Sequence, residues 1–76
     1  MPFESISTVL PAYNEEENIE NATKRMADVL RSLGLRDWEV IIVDDGSVDR
    51  TGKIADDLAA DDAAHIRVFH HNPNHG

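Results

Sequence analysis

Glu39-Val40-Ile41-Ile42-Val43-Asp44-Asp45-Gly46-Ser47 is the stretch that decides how this chain folds. Its core, Val40 to Val43, is apolar without alternation, which suits a strand covered on both faces, as in a parallel sheet. The run ends at an acidic turn cluster, Asp44 to Ser47, where a helix can begin from Ser47 or Asp49 as cap. That helix carries Ile54, Ala55, Leu58 and Ala59 on one side and Asp56, Asp57, Asp61 and Asp62 on the other. Gly52 weakens its first turn by roughly 1 kcal/mol relative to alanine. Ile66-Arg67-Val68-Phe69-His70 reads as a further strand, and residues 71–76 as loop.

Upstream the same order appears once more. Ile6-Ser7-Thr8-Val9-Leu10 is a short β-rich run ending at Pro11, since proline cannot continue a central strand. Asn14-Glu15-Glu16-Glu17 has the form of a helix start, with Asn14 as cap, Glu17 three residues on and an acidic first turn matched to the helix dipole. Ile19, Ala22, Met26, Val29, Leu30 and Leu33 then recur at helical spacing up to Gly34, which predicts a helix of roughly 18 residues. Strand, helix, strand, helix, strand implies parallel pairing through right-handed crossovers. The fold class is therefore α/β: a βαβαβ, three-stranded parallel half of a doubly wound domain. One sheet edge and one face are left thinly covered. Residues 1–76 read as the incomplete front piece of a larger α/β domain.

Composition narrows the function. Seventy-six residues make a small core, and the absence of cysteine removes disulfides, thiolate zinc sites and cysteine nucleophiles. Fifteen acidic against seven basic residues give a net charge of −8. That balance speaks against a general nucleic-acid grip and against adhesion to anionic lipid. No apolar run approaches the roughly 18 residues of a membrane span.

In an open parallel sheet, ligands bind outside the carboxyl ends of the strands. Two such ends are furnished here, Pro11-Ala12-Tyr13-Asn14-Glu15 and Asp44-Asp45-Gly46-Ser47. If the strands are neighbours, a phenol ring and three carboxylates converge on one crevice. Tyr13 would stack on a planar base, and Asp45 would accept hydrogen bonds from base or ribose donors. Each group also has a plainer reading. A tyrosine after a strand is often a packing residue, an Asp-Asp-Gly-Ser turn often only caps a helix, and Glu15 to Glu17 match a helix dipole. Their joint occurrence at equivalent strand ends favours a site. A dinucleotide fingerprint is absent: no Gly-x-Gly-x-x-Gly follows the first strand, and three glutamates there would repel a pyrophosphate. His70, His71 and His75 raise a metal site, but adjacent residues at a strand end point to opposite faces.

Val9-Leu10-Pro11-Ala12-Tyr13-Asn14-Glu15-Glu16-Glu17-Asn18-Ile19, followed about 20 residues later by Glu39 to Thr51, closely resembles family 2 glycosyltransferases. The nearest likeness is to the dolichyl- or polyprenyl-phosphate mannosyl- and glucosyltransferases. The resemblance implies a GT-A fold whose N-terminal half binds the nucleotide of a sugar donor such as GDP-mannose or UDP-glucose. By position, Pro11, Tyr13 and Glu15 match the family's first nucleotide-contacting motif, and Val43 and Asp45 match its base and ribose contacts. Asp44 is expected to support the turn. The resemblance also implies a divalent cation, Mg2+ or Mn2+, held by an Asp-x-Asp motif beyond a further helix and strand. It implies a polyprenyl-phosphate or glycan acceptor, and work in the cytoplasm or at the cytoplasmic face of a membrane, in lipid-linked sugar or cell-wall biosynthesis.

These 76 residues contain no Asp-x-Asp, so no catalytic or metal-ligating residue is assigned, and the chain alone is expected to be inactive. Self-association through the open sheet edge is expected. The competing reading is a small non-catalytic nucleotide- or partner-binding α/β module complete at this length. A receiver-like phospho-acceptor domain fits less well, because it wants its acidic pair after the first strand and a lysine at a later strand end.

Overall fold

A computed structural model describes residues 5–71; His75 and the rest of residues 72–76 lie outside them. Five elements follow in the expected order: β1 (Ser5–Ala12), α1 (Ile19–Ser32), β2 (Asp37–Asp45), α2 (Thr51–Asp61) and β3 (Ile66–His71). The strands lie side by side as β1-β2-β3, and both pairings are parallel. Two right-handed crossovers stepping in one direction put both helices on the same face, where they touch each other as well as the sheet.

The burial along β2 alternates accordingly. Trp38, Val40, Ile42 and Asp44 are buried, whereas Glu39, Ile41 and Val43 between them are half-buried. Beneath the helices, Val40 and Ile42 meet Ile19, Ala27 and Leu30 of α1 and Ala55 and Leu58 of α2 in one core. Fully burying an aliphatic side chain of this kind stabilises by about 1.5–3 kcal/mol, so the middle of β2 carries much of the fold. At the amino end of the sheet, Trp38 stacks on His65 with ring centroids 3.9 Å apart, and the Arg31 guanidinium lies 5.3 Å above the indole.

Several expectations need correction. The apolar run of β2 is covered on one face among the described residues. The other face shows Val9 (58% exposed), Ile41, Val43 and Phe69 (56% exposed) toward the carboxyl end, with Ser7, Glu39 and Arg67 toward the amino end. Pro11 does not end β1: it is paired in register with Val43. Proline is tolerated there because β1 is an edge strand, with one side needing no partner. On α1 the buried stripe is Ile19, Thr23, Ala27 and Leu30, while Val29 and Leu33 stay exposed. The helix stops at Ser32, just before Gly34 (φ +68°), as expected. Its start is the larger surprise. The helix begins at Ile19, and Asn14 sits in the loop with φ +51°, a conformation that asparagine tolerates better than most residues.

Candidate functional site

The register of β1 on β2 sets Pro11 opposite Val43 and Ala12 opposite Asp44. The loops that follow, residues 13–18 and 46–50, therefore leave the sheet side by side. A reciprocal set of hydrogen bonds ties them together. Ser47 Oγ accepts from the Asn14 amide at 2.9 Å, and Asn14 Oδ1 accepts in return from the Val48 amide at 2.9 Å. Thr51 Oγ1 accepts from the Glu15 amide at 2.7 Å, and Asp49 Oδ2 accepts from the Glu16 amide at 3.2 Å. Glu16 Oε1 accepts from the Arg50 amide at 3.0 Å. The turn that opens α1 starts at Glu15, whose carbonyl receives the amides of Asn18 and Ile19. Its amino-terminal donors are thus satisfied from the far loop rather than by a local cap. Neither Ser47 nor Asp49 caps α2: Arg50 stands at the N-cap without a side-chain bond to the helix, its carbonyl receives the Ile54 amide, and Asp49 takes the Thr51 amide at 2.9 Å in a local turn just ahead of it.

Asp44 and Asp45 part company at the end of β2. Asp44, only 6% exposed, turns under the helices; its Oδ1 accepts from the Ser47 amide at 3.2 Å, across a turn in which Gly46 has φ +72°. Its Oδ2 lies 2.9 Å from His70 Nδ1, and His70 Nε2 lies 2.9 Å from Asp56 Oδ1. Burial works to raise the Asp44 carboxyl, but the hydrogen bonds from Ser47 and His70 outweigh it and hold the group below its ordinary range. His70 is pushed above its ordinary value by its bonds to Asp44 and then Asp56. Asp45 belongs to the open face and lies 2.8 Å from His71 Nδ1. Gly52 also acquires a role here. A Cβ at this position would lie 2.7 Å from Asp44 Oδ2 and 3.3 Å from His70 Cε1, so the residue that weakens the helix makes room for the pair.

The expected site residues fall into two groups. Pro11 and Val43 are paired on the open face, with Asp45 two residues beyond Val43 on that same face. Tyr13 projects from the first loop, 58% exposed. Glu15 lies on the other side of β1 and, with Leu10, Pro11, Asn18, Ile19 and Ala22, lines a cleft of about 190 Å³ against the start of α1. The three carboxylates therefore do not converge on one crevice, because alternation sends Asp44 and Asp45 to opposite faces and Glu15 leans toward α1. Asp44 supports the turn, as expected. Of the residues that join the loops, Asn14, Ser47 and Asp49 were legible only as turn and cap residues, and Thr51 carried no signal of its own. Nothing in the sequence pairs His70 with Asp44.

The described residues do not fit a divalent cation. The strand-end aspartates are engaged by Ser47, His70 and His71, and among the described residues no group of three or more metal-ligating side chains is placed to hold an ion. No helix among them is long and apolar enough to cross a membrane.

Open parallel α/β sheets bind their ligands outside the carboxyl ends of the strands, and that is the edge at which the two loops interlock here. Residues 7–76 match glycosyl transferase family 2, and the chain belongs to that family. Its architecture is that of the N-terminal, Rossmann-like portion of the GT-A fold. Similar curated proteins include the undecaprenyl-phosphate 4-deoxy-4-formamido-L-arabinose transferase of Pectobacterium carotovorum, 38% identical over 97% of this chain and 22% of that protein. The transferase of the same name from Pseudomonas fluorescens is 33% identical over 99% of this chain and 22% of its own length. That of Salmonella paratyphi B is 32% identical over 99% and 23%. The chain thus spans less than a quarter of the length of these relatives.

Proposed function

We propose that residues 1–76 form the N-terminal, nucleotide-sugar-binding part of a GT-A glycosyltransferase domain that transfers a sugar to a polyprenyl phosphate. The observation that carries this reading is the interlock of the two strand-end loops, which holds Tyr13 and Asp45 at neighbouring strand ends. Tyr13 offers an exposed ring for the base. Asp45, with Val43 and Pro11 behind it, offers an acceptor for base or ribose donors; Glu15 stands at the margin of the adjoining cleft. The donor is a nucleoside-diphosphate sugar of the GDP-mannose or UDP-glucose type, or one carrying the formamido-arabinose in the relatives' names. In the transfer, a phosphate oxygen of the acceptor forms a bond to the anomeric carbon as the bond to the nucleoside diphosphate breaks. The acceptor places the reaction at a membrane surface, on its cytoplasmic side. The divalent cation implied by the resemblance has no ligand set in the described residues.

NMR titration of the chain with GDP and with UDP tests the reading. Shifts centred on Tyr13, Asp45 and Gly46 are expected. Aromatic stacking on a base contributes about 1–3 kcal/mol, so Tyr13→Ala should weaken binding by roughly tenfold. Asp45→Asn should weaken it too, and Asp57→Asn on the outer face of α2 should not. A second groove lies between α1 and α2, lined by Lys24, Asp28, Arg31, Leu58 and Asp61; shifts confined to it, with Tyr13 and Asp45 silent, would put the site elsewhere.

A further inference from the structure

His70 stands outside every part of the site assigned so far, yet it touches the base of the second loop. Its two ring nitrogens each lie 2.9 Å from a carboxylate oxygen, one on β2 and one on α2. Only the imidazolium carries a proton on both nitrogens; a neutral ring donates once and must abandon one of the two carboxylates. Asp44 passes this choice on. One of its oxygens meets His70 and the other receives the Ser47 amide, and Ser47 Oγ in turn receives the Asn14 amide from the first loop.

We infer that His70 is a positioning residue that sets the geometry of both strand-end loops through Asp44 and Ser47, in a proton-dependent way. Its consequence for ligand affinity rests on the nucleotide-binding reading above. Among the described residues no other charged side chain joins the bridge. Asp44 faces His70 from β2 and Asp56 from α2; Lys53 and Asp57 pair with each other at 3.4 Å, and His71 is turned to Asp45 on the opposite face. The sign of the effect follows. His70 is raised above its ordinary value, so the double bridge is complete below that value and is lost as pH rises through the raised one. Asp44 is lowered, so its carboxylate keeps the bridge until pH falls through the depressed value. Between these limits both loops are held.

The test is an NMR pH titration of the ligand-free chain from about pH 5 to about pH 9, a span that brackets the ordinary imidazole pKa. The Ser47 and Asn14 amides are expected to shift with the same midpoint as the His70 ring. His70→Gln, which donates without titrating, should remove that inflection; His71→Gln should leave it. Gly52→Ala supplies an independent perturbation, since its methyl group meets Asp44 and His70 directly. It should move both amides in the direction that deprotonation of His70 does. GDP or UDP should bind roughly threefold or more weakly above the His70 midpoint than below it, the scale on which one hydrogen bond is lost. His70→Gln should remove that share of the drop. Ser47 and Asn14 amides that stay flat in the wild-type chain, or that still titrate in His70→Gln, overturn the inference. A wild-type chain that binds neither nucleotide overturns the nucleotide reading alone, because the ligand-free titration still decides whether His70 holds the loops.

Discussion

Two threonines with the same burial should respond to the same substitution with opposite signs. Thr23 and Thr51 both lie in helices and are both fully buried. Thr51 Oγ1 accepts from the Glu15 amide and donates to the Asp49 carboxylate. Thr23 Oγ1 has no hydrogen-bond partner among the described residues. Valine matches threonine in shape and closely in helix propensity, so Thr→Val isolates the hydroxyl. At position 51 the exchange removes two part-buried hydrogen bonds, one from the Glu15 amide and one to the Asp49 carboxylate, together about 1–3 kcal/mol. At position 23 it removes a buried hydroxyl that bonds to nothing, which should be neutral or stabilise by about 1 kcal/mol. Against a total of roughly 4–11 kcal/mol for a chain of this length, the difference is large. Urea unfolding followed by circular dichroism would read it. Thermal melts offer a second reading, with a loss of about 2 kcal/mol at Thr51 lowering Tm by roughly 8–16 °C. If both variants lose stability equally, the hydrogen bond between the loops is not what holds Thr51 in place.

Two further outcomes are expected. Incubated with labelled GDP-mannose or UDP-glucose, a polyprenyl phosphate and magnesium or manganese, the 76-residue chain should give no glycolipid above blank, since its sequence has no Asp-x-Asp; product that tracks the purified protein would refute this. The exposed Val9 and Phe69 beside strand edges that no described residue pairs should make the chain self-associate. A concentration-independent monomer in light scattering would count against that.

The order of elements was legible because each carries its own local signal: a β-rich run, a helical period, or a glycine at a stop. Gly34 and Gly46 both have positive φ, and the turns around them fell where expected. What escaped has partners far away in sequence. Asn14 looked like a helix cap because capping is judged over three or four residues, but its side chain serves Val48 and leaves the helix to begin at Ile19. Val40 to Val43 looked covered on both faces because composition reports apolarity, not which neighbours arrive. The candidate residues at the two strand ends were found from their positions in the chain. The opposite orientations of Asp44 and Asp45 follow from alternation once β2 runs on through Asp45, but the engagement of each by a histidine on β3 depends on a register that no local pattern encodes.

The interlock of residues 14–16 with residues 47–51 joins positions 33 to 36 apart in the chain. None of these bonds can form before β1 has closed on β2, because each loop supplies what the other lacks. The entropy of closing so long a segment must be met first, and the strand pairing rather than the loops repays it. This loop edge is therefore a late product of folding, and it opens as one unit or not at all. A residue inserted into either loop would displace donors and acceptors in both, so these two surface loops cannot vary in length independently of each other.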